Sequence, residues 1–221
     1  MNYRIQNIEH INNECYVQKL AFDFELLDAW EFPICFKHSE NDSLYKFRKI
    51  AIEPTFKNAF NNSTTGLLFK FRGLIGHVFK IDKNVNKLPI PDSLEFNLTD
   101  RMTATERLNH CSEFDIDIRT GNYLDFKTVY SFENETLNEI SNASEHALMH
   151  YSWVKNKDGC YKIQMASYVK HRSKFGPFYI KLIEPFKRKI VYPYLFDEFV
   201  RRWDEYKSSE AKKQTRMKYI L

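Results

Sequence analysis

The sequence predicts an α+β fold in which a curved antiparallel β-sheet wraps around a long C-terminal helix that prolines bend. Two patterns predict this class. Segments between residues 114 and 170 alternate apolar and polar residues, as half-buried strands do. Residues 175–203 then carry an apolar stripe at three- and four-residue spacing, as an amphipathic helix does. A chain of 221 residues with 16% aromatic residues is long and apolar enough for one globular domain.

A hairpin of two long strands is the clearest local pattern. Asp158 and Gly159 supply the residues of a tight turn, and both flanking segments alternate. One face of each strand is assigned to the interior: Ala147, Met149, Tyr151 and Trp153 from the first, and Tyr161, Ile163, Met165, Ser167 and Val169 from the second. The alternation turns the other side chains toward solvent: His146, His150, Lys162, Gln164 and Lys170.

A second pair of strands precedes the hairpin. The segments EFDIDIR and LDFKTVYSF alternate, and TGNY supplies the turn between them. In the second segment, one face is predicted to carry Leu124, Phe126, Thr128, Tyr130 and Phe132. Asp115 and Asp117 share a face of the first segment that lies opposite its apolar residues, which favours a solvated surface over a pair of catalytic carboxylates.

The last third of the chain predicts the helix that covers the sheet. Its stripe consists of Ile183, Phe186, Ile190 and Tyr194 and continues through Phe196, Phe199, Val200 and Trp203. Pro177, Pro185 and Pro193 can each occupy the first turn of a helical segment, where the missing N–H is not needed. The helix is therefore expected to bend at Pro185 and Pro193. A basic amphipathic segment could instead lie on an anionic membrane surface, but the sheet needs a cover, which favours packing within the chain.

Three further segments complete the expected architecture. ECYVQKLAFDFEL near the N-terminus alternates enough to predict a strand. Residues 42–60 are predicted as a helix, a turn at Pro54 and a second helix. Residues 63–82 predict an amphipathic helix capped by Ser63 or Thr64. The domain is expected to span residues 1–207, and residues 208–221 to form a basic tail that frays.

Charge, cysteines and hydropathy limit the partners and the location. The formal net charge is +4, and the excess lies in residues 201–221; such a basic helix end is most often a solvated face, so no nucleic-acid partner is expected. No segment reads as a signal peptide or a membrane span, so a cytoplasmic protein without stable membrane insertion is expected. Four cysteines without a C-x-x-C pair are expected to be reduced thiols: Cys15, Cys35, Cys111 and Cys160.

No catalytic fingerprint appears in the sequence. It lacks a G-x-S-x-G motif and a phosphate-binding loop, and it has only six glycines, so no nucleotide cofactor is expected. His146 and His150 come nearest to metal-ligand spacing, but on a strand they stand roughly 13 Å apart. No metal is therefore expected. The sequence leaves open whether the protein is an enzyme and which residues would be catalytic.

Three segments resemble a bacterial family of proteins of unknown function, domain-of-unknown-function family 2867: GNYLDFKTVYSF, YKIQMASYVKH and FGPFYIKLIEPFKRKIV. Residues 124–126 fall on the family's strand motif, and Pro185, Phe186, Lys187, Arg188, Ile190 and Val191 fall on its helix motif, with Lys187 where the family often has His. The segment LLFKFRGLIGHVFKID is similar to an earlier helix of the family. The resemblance covers residues 15–203.

The resemblance implies a fold and a kind of site. The family looks like a branch of the START-like (polyketide cyclase, SRPBCC, helix-grip) superfamily, in which a curved antiparallel sheet wraps a C-terminal helix. Members of that superfamily enclose an apolar cavity between sheet and helix and bind lipids, hormones or polyketides, and a minority are enzymes. The order of strands followed by an amphipathic helix in this chain agrees with that arrangement.

These observations together predict a cavity for a small apolar or aromatic ligand between the sheet and the C-terminal helix. The expected lining residues are Thr128, Tyr130, Tyr151, Trp153, Met165 and Ser167 from the sheet, and Ile183 and Phe186 from the helix. The same residues could instead fill a solid core. Two other function classes stay open: a cyclase- or hydrolase-like enzyme that uses a Tyr hydroxyl or a buried carboxylate, and a non-catalytic interaction or peripheral membrane module. The expected partner is a small hydrophobic molecule, and the sequence leaves the oligomeric state open, with a homodimer as one alternative.

Overall fold

A computed structural model of the chain describes residues 3–36, 42–59, 97–111, 118–119, 125–141 and 144–218. Several predicted features lie outside the described residues: the helix over residues 63–82, the greater part of the strand EFDIDIR and the turn TGNY.

Seven antiparallel strands form one sheet in the order β1-β2-β7-β6-β5-β4-β3. Their bounds are β1 Arg4–Ile5, β2 Glu25–Glu31, β3 Ile118–Arg119, β4 Asp125–Ser131, β5 Glu135–Ser141, β6 Glu145–Lys155 and β7 Tyr161–His171. The predicted hairpin is the pair β6–β7, which stays in register from Glu145 opposite His171 to Lys155 opposite Tyr161. Gly159 has a φ of 79° in the connecting turn, a conformation that glycine adopts without strain. The antiparallel sheet and the hairpin confirm the prediction.

Short helices flank the sheet before the long C-terminal one. They are α1 Asn7–Ile11, α2 Tyr16–Leu20, α3 Leu44–Phe47, α4 Glu53–Ala59 and α5 Ala104–Leu108, with a π-helical turn at Arg48–Ile52 and a 3₁₀ turn at Leu98–Arg101. The strand predicted from ECYVQKLAFDFEL is wrong for most of its length, because residues 16–20 form α2, residues 21–24 form a turn, and β2 begins only at Glu25. The predicted turn at Pro54 is wrong, because residues 44–59 are helical throughout. The π-helical turn Arg48–Ile52 directly precedes Pro54, so the chain departs from α-geometry next to the residue that lacks an N–H.

The C-terminal helix consists of α6 Gly176–Phe186, a π-helical turn Lys187–Val191 and α7 Tyr192–Lys218. Pro177 and Pro193 lie in the first turns of α6 and α7, as predicted, whereas Pro185 lies inside α6. The π-helical turn lies between Pro185 and Pro193, so the helix departs from α-geometry where the prolines predicted a bend. This confirms a long, interrupted C-terminal helix. α7 continues past Lys207, so the predicted boundary of the basic tail is not marked by a break in the helix.

The main core lies between the C-terminal helix and one face of the sheet, which we call the helix face. Aromatic rings dominate it, and Phe196 is at their centre, in contact with the rings of Tyr3, Trp30 and Phe32. The buried members include Phe36, Phe47, Met149, Tyr151, Ile163, Met165, Phe199 and Trp203. The face assigned to the interior from the hairpin alternation is therefore the face that packs on the helix.

The opposite face of the sheet, which we call the N-terminal face, is covered as well. Its core joins α2 and the 3₁₀ turn to side chains such as Leu137, Leu148 and Ala166. His146, His150 and Gln164 lie on this face and are buried, so their predicted exposure to solvent is wrong. The physical reason is that both faces of the sheet have a cover, so alternation in this sheet separates two interiors rather than an interior from solvent.

A β-bulge in β4 changes the face that its side chains share. Thr128 pairs with Asn138 but Tyr130 pairs with Leu137, so one extra residue stands between them. Thr128 consequently stays on the helix face, and Tyr130 is buried on the N-terminal face. The prediction that Thr128 and Tyr130 share one face is wrong, because a bulge inverts the alternation.

Two cysteines that stand 125 residues apart in sequence form a disulfide, Cys35–Cys160, with a Cα–Cα distance of 5.6 Å. This differs from the expectation of four reduced thiols; Cys15 and Cys111 are free.

Within the part of the chain that the structure describes, no helix has both the length and the apolar character needed to cross a membrane. A cytoplasmic location remains a prediction.

Replacing Phe196 with alanine should lower the free energy of unfolding by about 3–5 kcal/mol, because its buried ring would leave a cavity at the centre of the core. Phe178→Ala is the matched control, since Phe178 belongs to the same long helix but is 57% exposed. Urea denaturation of both variants measures the difference. Equal losses of unfolding free energy in the two variants would contradict the position of Phe196 at the centre of the core.

Candidate functional site

A cavity of about 220 Å³ lies between α6 and the helix face of the sheet. Most of its walls are apolar: Phe126, Ile140, Ala147, Met149 and Val169 from the sheet, and Tyr179, Ile180 and Ile183 from α6. An apolar cavity of roughly 150 Å³ suffices to bind benzene. The cavity is therefore large enough for a molecule of about one substituted ring.

One wall of the cavity is polar and comes from the start of α7. The Tyr192 hydroxyl lies 2.8 Å from Ser167 Oγ, and either oxygen can donate to the other. Burial raises the pKa of Tyr192 to about 12, against the opposing effect of the Lys187 charge. Tyr192 is therefore protonated at neutral pH, and its hydroxyl and that of Ser167 can exchange hydrogen bonds with a bound molecule.

The π-helical turn brings Lys187 and Tyr192 to the same cavity. The Tyr192 N–H donates to the Lys187 carbonyl, five residues back, which is the hydrogen bond of a π-helix. The Lys187 ammonium consequently lies 5.3 Å from the centroid of the Tyr192 ring. In a regular α-helix, residues five apart point in more divergent directions, so this pairing depends on the wider turn.

A buried ion pair holds Lys187 against the sheet. Its Nζ lies 2.7 Å from Oδ2 of Asp28, which is fully buried, and 3.1 Å from Oε2 of Glu184. Burial lowers the pKa of Lys187, but the surrounding charges, including that of Asp28, outweigh it and raise the pKa above its ordinary value. A bulge at Leu27 in β2 makes this contact possible, since it pairs Asp28 with Ser167 and so turns Asp28 toward the helix face.

Glu145 stands in another wall of the cavity, beside the first turn of α6. Its carboxylate lies 2.8 Å from His171 Nδ1. Burial raises the pKa of Glu145, and the hydrogen bond from His171 opposes that rise. A Cβ at Gly176 would collide with Glu145 Oε1, so a larger residue there would displace the Glu145 carboxylate from its position beside α6.

Two of the predicted lining residues, Ser167 and Ile183, line this cavity. Tyr151 and Met165 are fully or almost fully buried within the aromatic core, as expected if they fill a solid core. Trp153 packs against the rings of Phe36 and Tyr161.

The remaining predicted residues lie away from the cavity. Thr128 accepts a hydrogen bond from Asn138 Nδ2 on the helix face. Tyr130 is on the N-terminal face because of the bulge in β4. Phe186 is 40% exposed on the outer surface of the helix. Phe186 belongs to a row of exposed apolar side chains on this helix, together with Phe178, Leu182 and Ile190, and this row points away from the sheet.

Sequence reasoning missed Glu145, Lys187 and Tyr192, which line the cavity, and Asp28, which pairs with Lys187. One signal for Lys187 was present, because the family resemblance places a histidine at that position. No such signal exists for Asp28, whose direction depends on a bulge that alternation does not reveal.

The described residues that could hold a metal ion lie on the N-terminal face, away from the cavity. Ligand atoms of Cys15, Glu135 and His150 all lie within 4.8 Å of one another. Burial raises the pKa of the Cys15 thiol to about 12, and the Glu135 charge adds to the effect, so this thiol is not an activated nucleophile at neutral pH. The expectation of no metal rested on the separation of His146 and His150 along a strand, whereas this group joins His150 to Cys15 and Glu135 instead.

A model of the family of proteins of unknown function DUF2867 matches residues 20–194 of the chain. The chain belongs to this family. The match includes the sheet from β2 to β7, α6 and the first residues of α7, and so includes the cavity of this DUF2867 chain. No curated protein and no solved structure matches the chain at a significant level.

Lys187→Met should destabilise the protein by about 3–5 kcal/mol, because it leaves the Asp28 carboxylate buried without its cation. The double variant Asp28→Asn with Lys187→Met should recover most of the lost stability, because neither charge of the buried pair remains. Lys213→Met, at an exposed ion pair with Glu210 on the same helix, is the control and should have little effect. Chemical denaturation measures all three. If Lys187→Met and Lys213→Met lost similar amounts of unfolding free energy, the buried pair would be no more important to stability than an exposed one.

Proposed function

We propose that this DUF2867 protein binds a small, largely apolar molecule in the cavity between α6 and the sheet. The observation that carries the proposal is a cavity of about 220 Å³ with apolar walls and a few convergent polar groups. Ligand sites in proteins commonly have this composition. A filled core of the same elements would instead place close-packed side chains there.

Placement in the START-like superfamily is part of the same proposal. An antiparallel sheet packed against a long C-terminal helix supports it, because the cavity lies between those two elements. In this placement the chain is a binding protein whose ligand sits between helix and sheet. The cytoplasmic location and the homodimer remain predictions.

The polar wall suggests which ligand chemistry fits. Lys187 is already paired with the two carboxylates of Asp28 and Glu184, so the ligand needs no anionic group to balance its charge. The Ser167–Tyr192 pair can exchange one hydrogen bond with a ligand hydroxyl or carbonyl oxygen. A ligand of about one ring with a single hydroxyl or carbonyl group therefore satisfies both the apolar and the polar walls.

Ile183→Trp should weaken the binding of such a molecule by more than about tenfold, because an indole group would fill the cavity. p-Cresol, a ring with one hydroxyl, is the probe, and isothermal titration calorimetry is the measurement. Phe186→Trp is the control, since Phe186 lies three residues away on the outer surface of the same helix, and it should bind as the wild type does. Absence of binding by the wild type to p-cresol, indole and cyclohexanone would refute the cavity as a binding site.

An enzyme that transfers protons to or from the ligand is a second candidate, and Glu145 favours it. Glu145 lines the cavity with a pKa that burial raises, which brings a carboxyl group closer to the pH range where general acid–base catalysis is efficient. The protonated Tyr192 hydroxyl lines the same cavity and can donate a hydrogen bond to a carbonyl oxygen.

Exchange of the α-hydrogens of cyclohexanone with D₂O, followed by proton NMR, tests this second candidate. If Glu145 removes such a proton, the wild type should accelerate exchange over buffer and Glu145→Gln should lose the acceleration while still binding the ketone. Phe186→Ala should retain both properties. Binding by the wild type without acceleration would contradict the enzyme and favour the passive binder.

A further inference from the structure

Three side chains from separate segments meet on the N-terminal face of the sheet, across the sheet from the cavity. Cys15 directly precedes α2, Glu135 begins β5, and His150 lies in the middle of β6. Their sulfur, oxygen and nitrogen ligand atoms lie within 4.8 Å of one another. Glu135 and His150 are buried, and Cys15 is half-buried. The fold therefore brings together three good metal ligands away from bulk water.

The two ring nitrogens of His150 have different surroundings. Its Nε2 lies 2.9 Å from Glu135 Oε2, whereas its Nδ1 is buried and has no hydrogen-bond partner among the described residues. The whole side chain is 0% exposed. A buried polar atom without a partner is rare in folded proteins. Nδ1 lies on the opposite side of the ring from Glu135, so Nε2 is the nitrogen through which His150 can share an ion with Glu135.

Glu135 is held in one orientation by its neighbours. Oε1 accepts from the Tyr16 backbone N–H at 2.9 Å, and Oε2 accepts from the Tyr130 hydroxyl at 2.9 Å. Tyr130 is available for this contact because the bulge in β4 turns it to the N-terminal face. Hydrogen bonds of this kind orient a carboxylate ligand and restrict its motion.

A further histidine packs beside the group without belonging to it. The ring centroids of His10 and His150 are 5.3 Å apart. Both nitrogens of His10 are engaged, Nδ1 with Gln164 Oε1 and Nε2 with the Tyr168 hydroxyl, each at 3.1 Å. His10 consequently closes one side of the group as a neighbour rather than as a ligand.

From this geometry we propose that Cys15, Glu135 and His150 form a binding site for a zinc ion. A thiolate, an imidazole and a carboxylate are typical zinc ligands, whereas Mg²⁺ and Ca²⁺ prefer oxygen ligands alone. Zinc displaces the thiol proton of Cys15, which leaves to solvent, and the resulting thiolate and the Glu135 carboxylate together balance the two charges of the ion, which suits a buried site. Three protein ligands leave one tetrahedral position for water or another group.

Zinc retention by matched variants tests the site. Each purified protein is treated with EDTA, dialysed against buffer with a low micromolar concentration of zinc, and analysed for bound metal. The wild type should retain one zinc per chain, and Cys15→Ser and His150→Gln should each lose at least nine tenths of it. Cys111→Ser is the control for the other free cysteine. His146→Gln is the control for a buried histidine on the same strand, whose Nε2 lies 2.8 Å from Glu139.

A second measurement does not depend on whether the variants fold. The wild type is labelled with a maleimide, with and without zinc, and modification of each cysteine is followed by mass spectrometry of its peptides. Zinc should slow the labelling of Cys15 at least tenfold and leave that of Cys111 unchanged. The proposal is overturned if the wild type retains no zinc, if the control variants lose zinc equally, or if zinc protects both cysteines alike.

Discussion

The buried ion pair between Asp28 and Lys187 is the contact on which the geometry of the cavity depends. It connects the bulge of β2 to the π-helical turn of the C-terminal helix, so it fixes both the rotation and the axial position of that helix over the sheet. A buried pair of charges often adds little net stability, but any other helix position would leave one charge buried without a partner. The pair therefore selects one arrangement of helix and sheet, and the cavity is the space that this arrangement leaves.

The prolines explain why the helix changes its geometry at this point. Pro185 and Pro193 each lack an N–H, so two carbonyl groups near the turn lose their α-helical partners. The wider turn between them provides a different set of hydrogen bonds and brings Lys187 and Tyr192 to one side. Aromatic packing of Phe196 and its neighbours then holds α7 to the sheet beyond the turn. The irregular part of the helix borders the cavity, and the regular part of α7 forms the core.

The sequence predicted features that local patterns determine. The β6–β7 hairpin followed from strict alternation around Asp158 and Gly159, and the interrupted helix followed from proline spacing. Tyr130, Asp28 and His150 could not be placed in the same way. A bulge adds one residue and reverses the alternation, and no local sequence pattern predicts where it occurs. The burial of His150 depends on α1 and α2, which are distant from it in sequence. A ligand cavity between sheet and helix stays a prediction, and the polar residues of the space found there depend on these tertiary features.

The two faces of the sheet present different chemistry to their covers. The helix face has an apolar cavity with a polar wall, which suits an organic molecule, and the N-terminal face has a group of sulfur, nitrogen and oxygen ligands, which suits a cation. Adjacent residues of β6 serve the two faces, since Met149 lines the cavity and His150 belongs to the ligand group. The backbone of one strand therefore separates the two proposed sites, which can be tested independently.

Native mass spectrometry of the purified protein, after EDTA has removed any metal, tests the central claim most directly. The native mass is compared with the mass of the same sample after denaturation. A reproducible extra mass that disappears on denaturation is the predicted result, because a ligand enclosed between helix and sheet would be retained through purification. A mass equal to that of the bare chain, with no thermal shift across a panel of lipids and aromatic metabolites, would contradict the claim and identify the layer as a solid core.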